Sequence, residues 1–580
     1  MRMDAQRMKA WWPWVLVLGA LAFVYGPTLG AHISRGFNPQ IFNDDARQQI
    51  YPFFRYADSS LFPNDYVGNY YLDNLPIGFR ALYTFSAPLI DPAVSNKIVM
   101  YLMLLVTILG LGAAANRLGG KVAAWGAMSL ALGASLYIDR MGGGLPRAFG
   151  FPILAWALVA LSYGRTRWLA ALVWLGACFY PVTGVLVGLA TAFLLLLLPA
   201  SDRGDAQGWD LRRRLRFLTI VAAASIVLLL PTIVSSSKYA PAITPDDVAQ
   251  YPEAGPGGRY APDSRAPYRS FFDSASTAVA RGFVGVGKPW VAPVFEWVNA
   301  DEPHGSQWTR SKVLLALLAI FTTVGWLLFV ASSGAARRVM MFGLAAFIGY
   351  SIARLVPPYF YLPDRYTTYS MPLLAVLMVS TSVAGFFSMR DKRGADPKNA
   401  VRAGVTLVFC LFVLASVGGR GSSRAGLNIE LGNKALYDAI GTLPVEAVVA
   451  GWPQTAIENA PYVARRTALL TFETHQAFHQ KYVDEMRQRM RAIIDATLAT
   501  SDAPLIRLRD EQGVTHMLVY LPHLGGARLR YFKPFDRWIA EARSASAGKP
   551  LLLQELVDKH AIYRDRNYAL VDLRELRGPG

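Results

Sequence analysis

Up to about residue 420 the chain alternates long apolar runs with short polar segments, and beyond that point the long runs stop. The runs lie near 11–30, 97–115, 122–138, 148–163, 168–181, 184–199, 217–236, 312–331, 339–356, 367–388 and 402–420. A helix needs about 20 apolar residues to cross a hydrocarbon core of about 30 Å. The pattern therefore predicts a polytopic α-helical membrane protein with about 11 transmembrane helices. The two runs flanking Tyr180 are also compatible with a re-entrant hairpin. The first run follows the basic segment MRMDAQRMKA without a good small-x-small cleavage site, so it reads as an uncleaved span rather than a secretory signal.

Charge placement sets an orientation. With the N-terminus inside, the inside segments are NRLGGK (Asn116 to Lys121), GRTRW (Gly164 to Trp168), SDRGDAQGWDLRRRLR (Ser201 to Arg216), GAARR (Gly334 to Arg338) and MRDKRGADPKNAVR (Met389 to Arg402). Each is basic, as the positive-inside rule requires. An odd number of spans then leaves the C-terminus outside.

Three outside segments are long: about 31–96, about 237–311, and 421–580. The second is rich in Pro, Gly and Tyr and reads as a loop with short interfacial helices, long enough to act as a lid. The third is long enough for its own core. Its short apolar runs AVVAGWP (Ala447 to Pro453), TALLTF (Thr467 to Phe472) and HMLVYLP (His516 to Pro522) read as strands, and the charged, helically periodic stretch His475 to Thr500 as a surface helix. The expected organisation is a transmembrane module over 1–420 and an extracytoplasmic α/β domain over 421–580.

Composition sharpens this picture. At 53% hydrophobic and 17% charged residues, 580 residues are too apolar for an ordinary soluble enzyme. The net charge of +18 would suggest a nucleic-acid partner in a soluble chain, but the basic residues gather at the ends of apolar runs, where they serve topology and lipid contact. No nucleic-acid partner is expected. The two cysteines, Cys178 and Cys410, lie inside apolar runs and form neither a disulfide framework nor a zinc pattern.

Candidate chemistry gathers at the outside ends of the spans. Asp44 and Asp45 sit in NDDAR, followed by Arg47, Arg55 and Asp58 interleaved with Tyr51, Phe53, Phe54 and Tyr56. The bland reading is solvated loop charge. Aromatics of that density lie on a membrane surface, however, and hold the acids at a fixed depth, where a carboxylate can take a proton from an acceptor hydroxyl or bind a divalent cation beside a phosphate. In DRMGGGLPRAFGFP, Arg147 stands at the start of a span, where a helix N-terminus already favours anions; snorkelling is the alternative. Arg354 and Arg365 flank an aromatic and proline turn at the outer rim, where a lipid phosphate lies. In the second outside segment Asp246, Asp247, Asp301, Glu302 and His304 match no ligand spacing and read as solvated charge. His475 and His479, four apart on one helix face, read as a surface pair. Arg465, Arg466 and Glu473 bracket the TALLTF strand and either face the membrane site or pair on the surface.

NDDAR (Asn43 to Arg47) in the first outside loop and DRYTTYSMPLL (Asp364 to Leu374) at a late span, with the overall layout, resemble the GT-C superfamily of integral membrane glycosyltransferases. The resemblance implies sugar transfer from a polyprenyl-phosphate donor to a glycan, lipid or protein acceptor on the periplasmic side of a bacterial inner membrane. The N-terminus would be cytoplasmic and the C-terminal domain periplasmic. Asp44 or Asp45 would be the catalytic or metal-holding acid, and Arg365 would bind the donor phosphate, with Arg47, Arg147, Arg354 and Tyr366 as further substrate-binding residues. The second long loop lacks a clear DxD, with PDDVAQ a weak substitute, so the resemblance leaves a divalent cation (Mg or Mn) open. A WWDYG-type motif is absent, which argues against an oligosaccharyltransferase. The competing expectation is a non-enzymatic transporter or assembly factor for lipid-linked glycans. A transporter would more often show internal hydropathy symmetry and polar residues deep in broken helices.

Overall fold

Apolar helices follow the hydropathy pattern wherever the chain is described. The computed structural model describes residues 25–259, 270–282, 324–327, 329–330, 333–356, 362–391 and 424–576, together with Gly19 and Ala22. Most of the expected spans 11–30 and 312–331, and all of 402–420, fall outside these residues, as do Asp301, Glu302 and His304. Among the described residues four helices are long and apolar enough to cross a membrane: Pro92–Gly133, Pro146–Tyr163, Leu211–Tyr239 and Gly334–Leu355. The first contains the expected span 97–115 and most of 122–138, and its helical path breaks at Gly119 and Gly120, where φ is −129° and +76°. Only glycine adopts the second value readily, so the break falls within NRLGGK, the segment expected as a loop between two spans.

Chain contacts divide the protein into two units. One comprises Met1–Phe42, Lys97–Leu229 and Arg269–Asn428. Its centre is a helical hairpin, Thr166–Phe179 and Pro181–Leu196, turning at Tyr180. At 1.5 Å per residue these helices are about 21 and 24 Å long. Their backbones touch: a Cβ on Gly176 would lie 2.4 Å from the Gly184 nitrogen. Three segments expected on the same side join at the hairpin's open end. Asp205 accepts from the Thr166 N–H and hydroxyl (3.1 and 2.8 Å), and Asp202 pairs with Arg337 at 2.6 Å. Arg338 donates to the Leu161, Ser162 and Asp202 carbonyls at 2.9, 2.6 and 3.2 Å.

The other unit comprises Asn43–Asn96, Leu230–Tyr268 and Ile429–Gly580, so parts of all three long segments expected outside share it. Its sheet has five strands in the order Thr467–Ala468, Val448–Gly451, His516–Tyr520, Tyr568–Asp572, Ala561–Arg564. The first two pairings are parallel and the last two antiparallel. Met517 and Val519 point into one apolar cluster and Leu518 into another, so both faces are covered. That is why HMLVY is apolar without alternation.

The core of this unit is shared along the sequence. Val67, Tyr70 and Tyr239 pack with Tyr482, Met486 and Ile493 of the helix Gln480–Thr497. The Tyr70 ring stacks on Tyr482 with centroids 3.6 Å apart. Ile243, Tyr251 and Ala254 form a second cluster with Ala477 and Val483. The expected helix from His475 begins only at Gln480, which corrects the reading of the two histidines as a surface pair on one helix face. His479 is the residue before the helix, with its Nδ1 2.9 Å from the Tyr70 hydroxyl. His475 is fully buried among Tyr531, Phe532 and Phe535. Burial removes the water that would solvate an imidazolium and pushes its pKa down to about 3.

Candidate active site

The Asp44–Asp45 turn is built by local hydrogen bonds. Asn43, 4% exposed, accepts the Asp45 N–H on its side-chain oxygen at 3.1 Å, and its carbonyl accepts from Ala46 at 3.2 Å. This Asx-type turn feeds the helix Ala46–Gln49, in which Ala46 faces the core. Both aspartates are left half-buried.

Neighbouring side chains tie the turn to distant segments of the same unit. Arg47 donates to the Asp44 carbonyl at 3.1 Å and to Asn459 Oδ1 at 2.8 Å, and lies 3.7 Å from Glu458 Oε2. Gln48 donates to Asp45 Oδ1 at 2.9 Å, and the Tyr71 hydroxyl lies 2.7 Å from Gln48 Oε1 and 3.1 Å from the Glu473 carbonyl. Arg259 pairs with Glu473 at 2.8 Å and covers the Phe472 ring at 3.9 Å. Glu458 accepts the backbone N–H groups of Phe472 and Glu473.

Four carboxylates and two guanidiniums thus come together: Asp44, Asp45, Glu458 and Glu473 with Arg47 and Arg259. Burial pushes the Glu458 carboxyl up to about 7 against the opposing pull of Arg47 and the Phe472 N–H. Burial also raises Glu473, with Asp45 and Asp44 adding to the rise while Arg259 and Arg47 oppose it. Among the described residues no three His, Cys, Asp or Glu side chains converge as metal ligands. No step below passes through a cation.

The sequence reading placed Glu473 beside a strand and left its role open, and it missed Glu458 and Arg259. Nothing in the composition around Ala456–Asn459 signals that one carboxylate there is buried. Arg465 and Arg466 lie elsewhere: Arg465 pairs with Asp91, and Arg466 donates to the Gly441 and Leu443 carbonyls. Asp247 of PDDVAQ caps its own turn, accepting from the Thr244 N–H and hydroxyl at 2.8 Å each.

Arg147, Arg354 and Arg365, expected at the outer rim, belong to the first unit. Arg147 lies in the turn Pro146–Phe149, Arg354 in the last turn of Gly334–Leu355, and Arg365 in the short helix Asp364–Thr368; all three are half-buried. Arg365 reaches the Tyr369 hydroxyl at 3.4 Å. The same Tyr369 ring packs against Tyr180 at the hairpin tip and against Gly150, where a Cβ would lie 2.7 Å from it. The segments carrying Arg147 and Arg365 therefore meet on one aromatic residue. Tyr366 is 1% exposed, with its ring packed on Gly349. Ser274, on the helix Phe271–Gly282, donates to Asp364 at 2.7 Å and lies 2.6 Å from the Thr367 hydroxyl.

No family model matches the chain, and no curated protein matches it. Solved structures do. ArnT from Cupriavidus metallidurans in the apo state aligns with a TM-score of 0.52 at 14% identity, covering 98% of this chain and 99% of that one. ArnT bound to undecaprenyl phosphate aligns at 0.51 and 14%, covering 97% and 99%. The oligosaccharyltransferase of Archaeoglobus fulgidus in complex with Zn and sulfate gives 0.46 at 13% identity, covering 87% of this chain and 68% of that one. Over nearly its whole length the chain has the fold of ArnT.

Proposed function

We propose that the protein is a membrane glycosyltransferase that moves a sugar from a polyprenyl-phosphate donor to an acceptor hydroxyl. The end-to-end likeness in fold to ArnT, a protein crystallised with undecaprenyl phosphate, carries this reading. The held Asp44–Asp45 turn supports it, because an acid that must meet a hydroxyl needs a fixed position. In this reading about eleven helices cross a bacterial inner membrane, with the basic segments cytoplasmic and the unit carrying Asp44 periplasmic.

The reaction is a displacement at the anomeric carbon. Asp44 or Asp45 takes the proton of the acceptor hydroxyl, and that oxygen bonds to the anomeric carbon. The bond from this carbon to the phosphate oxygen breaks, and its electron pair leaves with the polyprenyl phosphate. Arg365, with Arg147 and Arg354, stabilises the charge that grows on that phosphate.

The test is release of polyprenyl phosphate from a panel of polyprenyl-phosphate sugars by the purified protein. Asp44→Asn or Asp45→Asn should lower turnover about 10²- to 10⁴-fold, as loss of a general base does. Absence of turnover across the panel, with tight donor binding that neither substitution changes, would replace the enzyme with a carrier or assembly factor.

A further inference from the structure

A cleft lies in the unit that carries the acid turn. Residues 527–531 (ARLRY) run without regular structure, and their side chains alternate: Leu529 and Tyr531 are 5% and 8% exposed, while Arg528 and Arg530 are exposed. All four residues Arg528 to Tyr531 border one cleft. Across from them the helix Phe535–Ser546 presents Asp536, Ile539 and Arg543. Together these residues line a cleft of about 420 Å3.

Its charge is unbalanced. Three guanidiniums face one carboxylate, and Asp536 accepts from the Arg537 N–H at 2.9 Å. Arg543 donates to the Ala527 carbonyl at 2.8 Å, which fixes one wall of the cleft. Among the described residues Arg528 and Arg530 have no acidic partner, whereas nearby Arg487, Arg489, Arg491 and Arg537 each pair with a carboxylate. Converging guanidiniums repel one another unless an anion joins them, and their planar forks suit phosphate and carboxylate oxygens.

The cleft also adjoins the acid network. Tyr531 lines the cleft, and its ring meets Phe472 edge-on at 5.8 Å. Phe472 is the residue whose N–H donates to Glu458.

We propose that this cleft binds an anionic group, a phosphate or a carboxylate, carried on a glycan. That the glycan is the acceptor rests on the function proposed above. The same chemistry is offered by anionic lipid headgroups, so the test separates the two sources. Full-length protein in a neutral detergent is titrated with inorganic phosphate and with an oligogalacturonate, and binding is read by ligand-observed NMR. The same protein in phosphatidylglycerol and phosphatidylcholine nanodiscs supplies the lipid arm.

Saturable binding of the soluble anions, weakened about 10-fold or more in Arg528→Ala/Arg530→Ala, is the expected result. The double variant Arg507→Ala/Arg537→Ala removes the same charge outside the cleft and should bind as the wild type does. Equal weakening in both double variants would mean diffuse surface charge and overturn the site. Binding seen only in phosphatidylglycerol discs would overturn the glycan assignment. The readout needs no donor turnover, so failure of the cleft and failure of the glycosyltransferase reading are distinguishable.

Discussion

Glu458→Gln should flatten the pH dependence of stability in the unit that holds the acid turn. The Glu458 carboxyl, buried beside Arg47, has its pKa raised from 4.5 to about 7. A carboxyl raised in this way stabilises the fold while protonated. Its contribution is full below the unfolded value and is lost as pH climbs through the folded one. Between pH 5 and pH 8 these two values give a loss of roughly 2–3 kcal/mol in the wild type. Glutamine cannot ionise and shows no such loss. It does turn an amide N–H2 toward a backbone donor, at a cost of about 1–3 kcal/mol that does not vary with pH.

Hydrogen exchange at the strand Val448–Gly451, which is largely buried in this unit, reads the difference. Comparing the two proteins at each pH cancels the intrinsic exchange chemistry. The ratio of wild-type to variant protection should fall by roughly one to two orders of magnitude from pH 5 to pH 8, the same free energy expressed as an equilibrium constant. Asp44, Asp45, Arg47, Arg259 and Glu473 remain in both proteins, so their own titration largely subtracts out. A ratio constant over this range would refute the burial argument. A ratio that rises with pH would show that attraction to Arg47 outweighs desolvation.

Two further substitutions probe the packing. Tyr70→Ala removes a ring that is 3% exposed and stacked on Tyr482. It should destabilise this unit by about 3–5 kcal/mol, measured as faster exchange in the helix Gln480–Thr497; unchanged exchange there would mean that residues 43–96 are not part of this core. Gly176→Val would force a side chain into the Gly184 backbone and should abolish recovery of folded protein in detergent, whereas Gly188→Val, with nothing within 4 Å of a new Cβ, should be recovered normally. Equal recovery of the two would refute the hairpin contact.

Much of the fold was legible because its signals are local. Apolar runs marked the helices, and NRLGGK marked the break at Gly119–Gly120. Three short apolar runs marked strands, although Ala561–Arg564 and Tyr568–Asp572 were missed because their surroundings are charged. The first residue of the helix at Gln480 was misplaced because the apolar and aromatic residues before it serve the core rather than the helix. The aromatics after NDDAR were misread as lying on a membrane surface: Tyr51, Phe53 and Phe54 are 2%, 0% and 0% exposed and pack inside the fold, a burial that a short window does not reveal.

By itself, then, the sequence determined which stretches are helical and apolar, which segments are basic, and where paired acids and rim arginines stand. Hydropathy, charge and glycine content act within a few residues. Only the tertiary structure decided that Arg47 reaches Asn459 and Glu458, that Glu473 meets Arg259, and that Tyr70 stacks on Tyr482. Those partners lie hundreds of positions apart, and whether a glutamate is solvated or buried against them depends on which surfaces the folded chain removes from water.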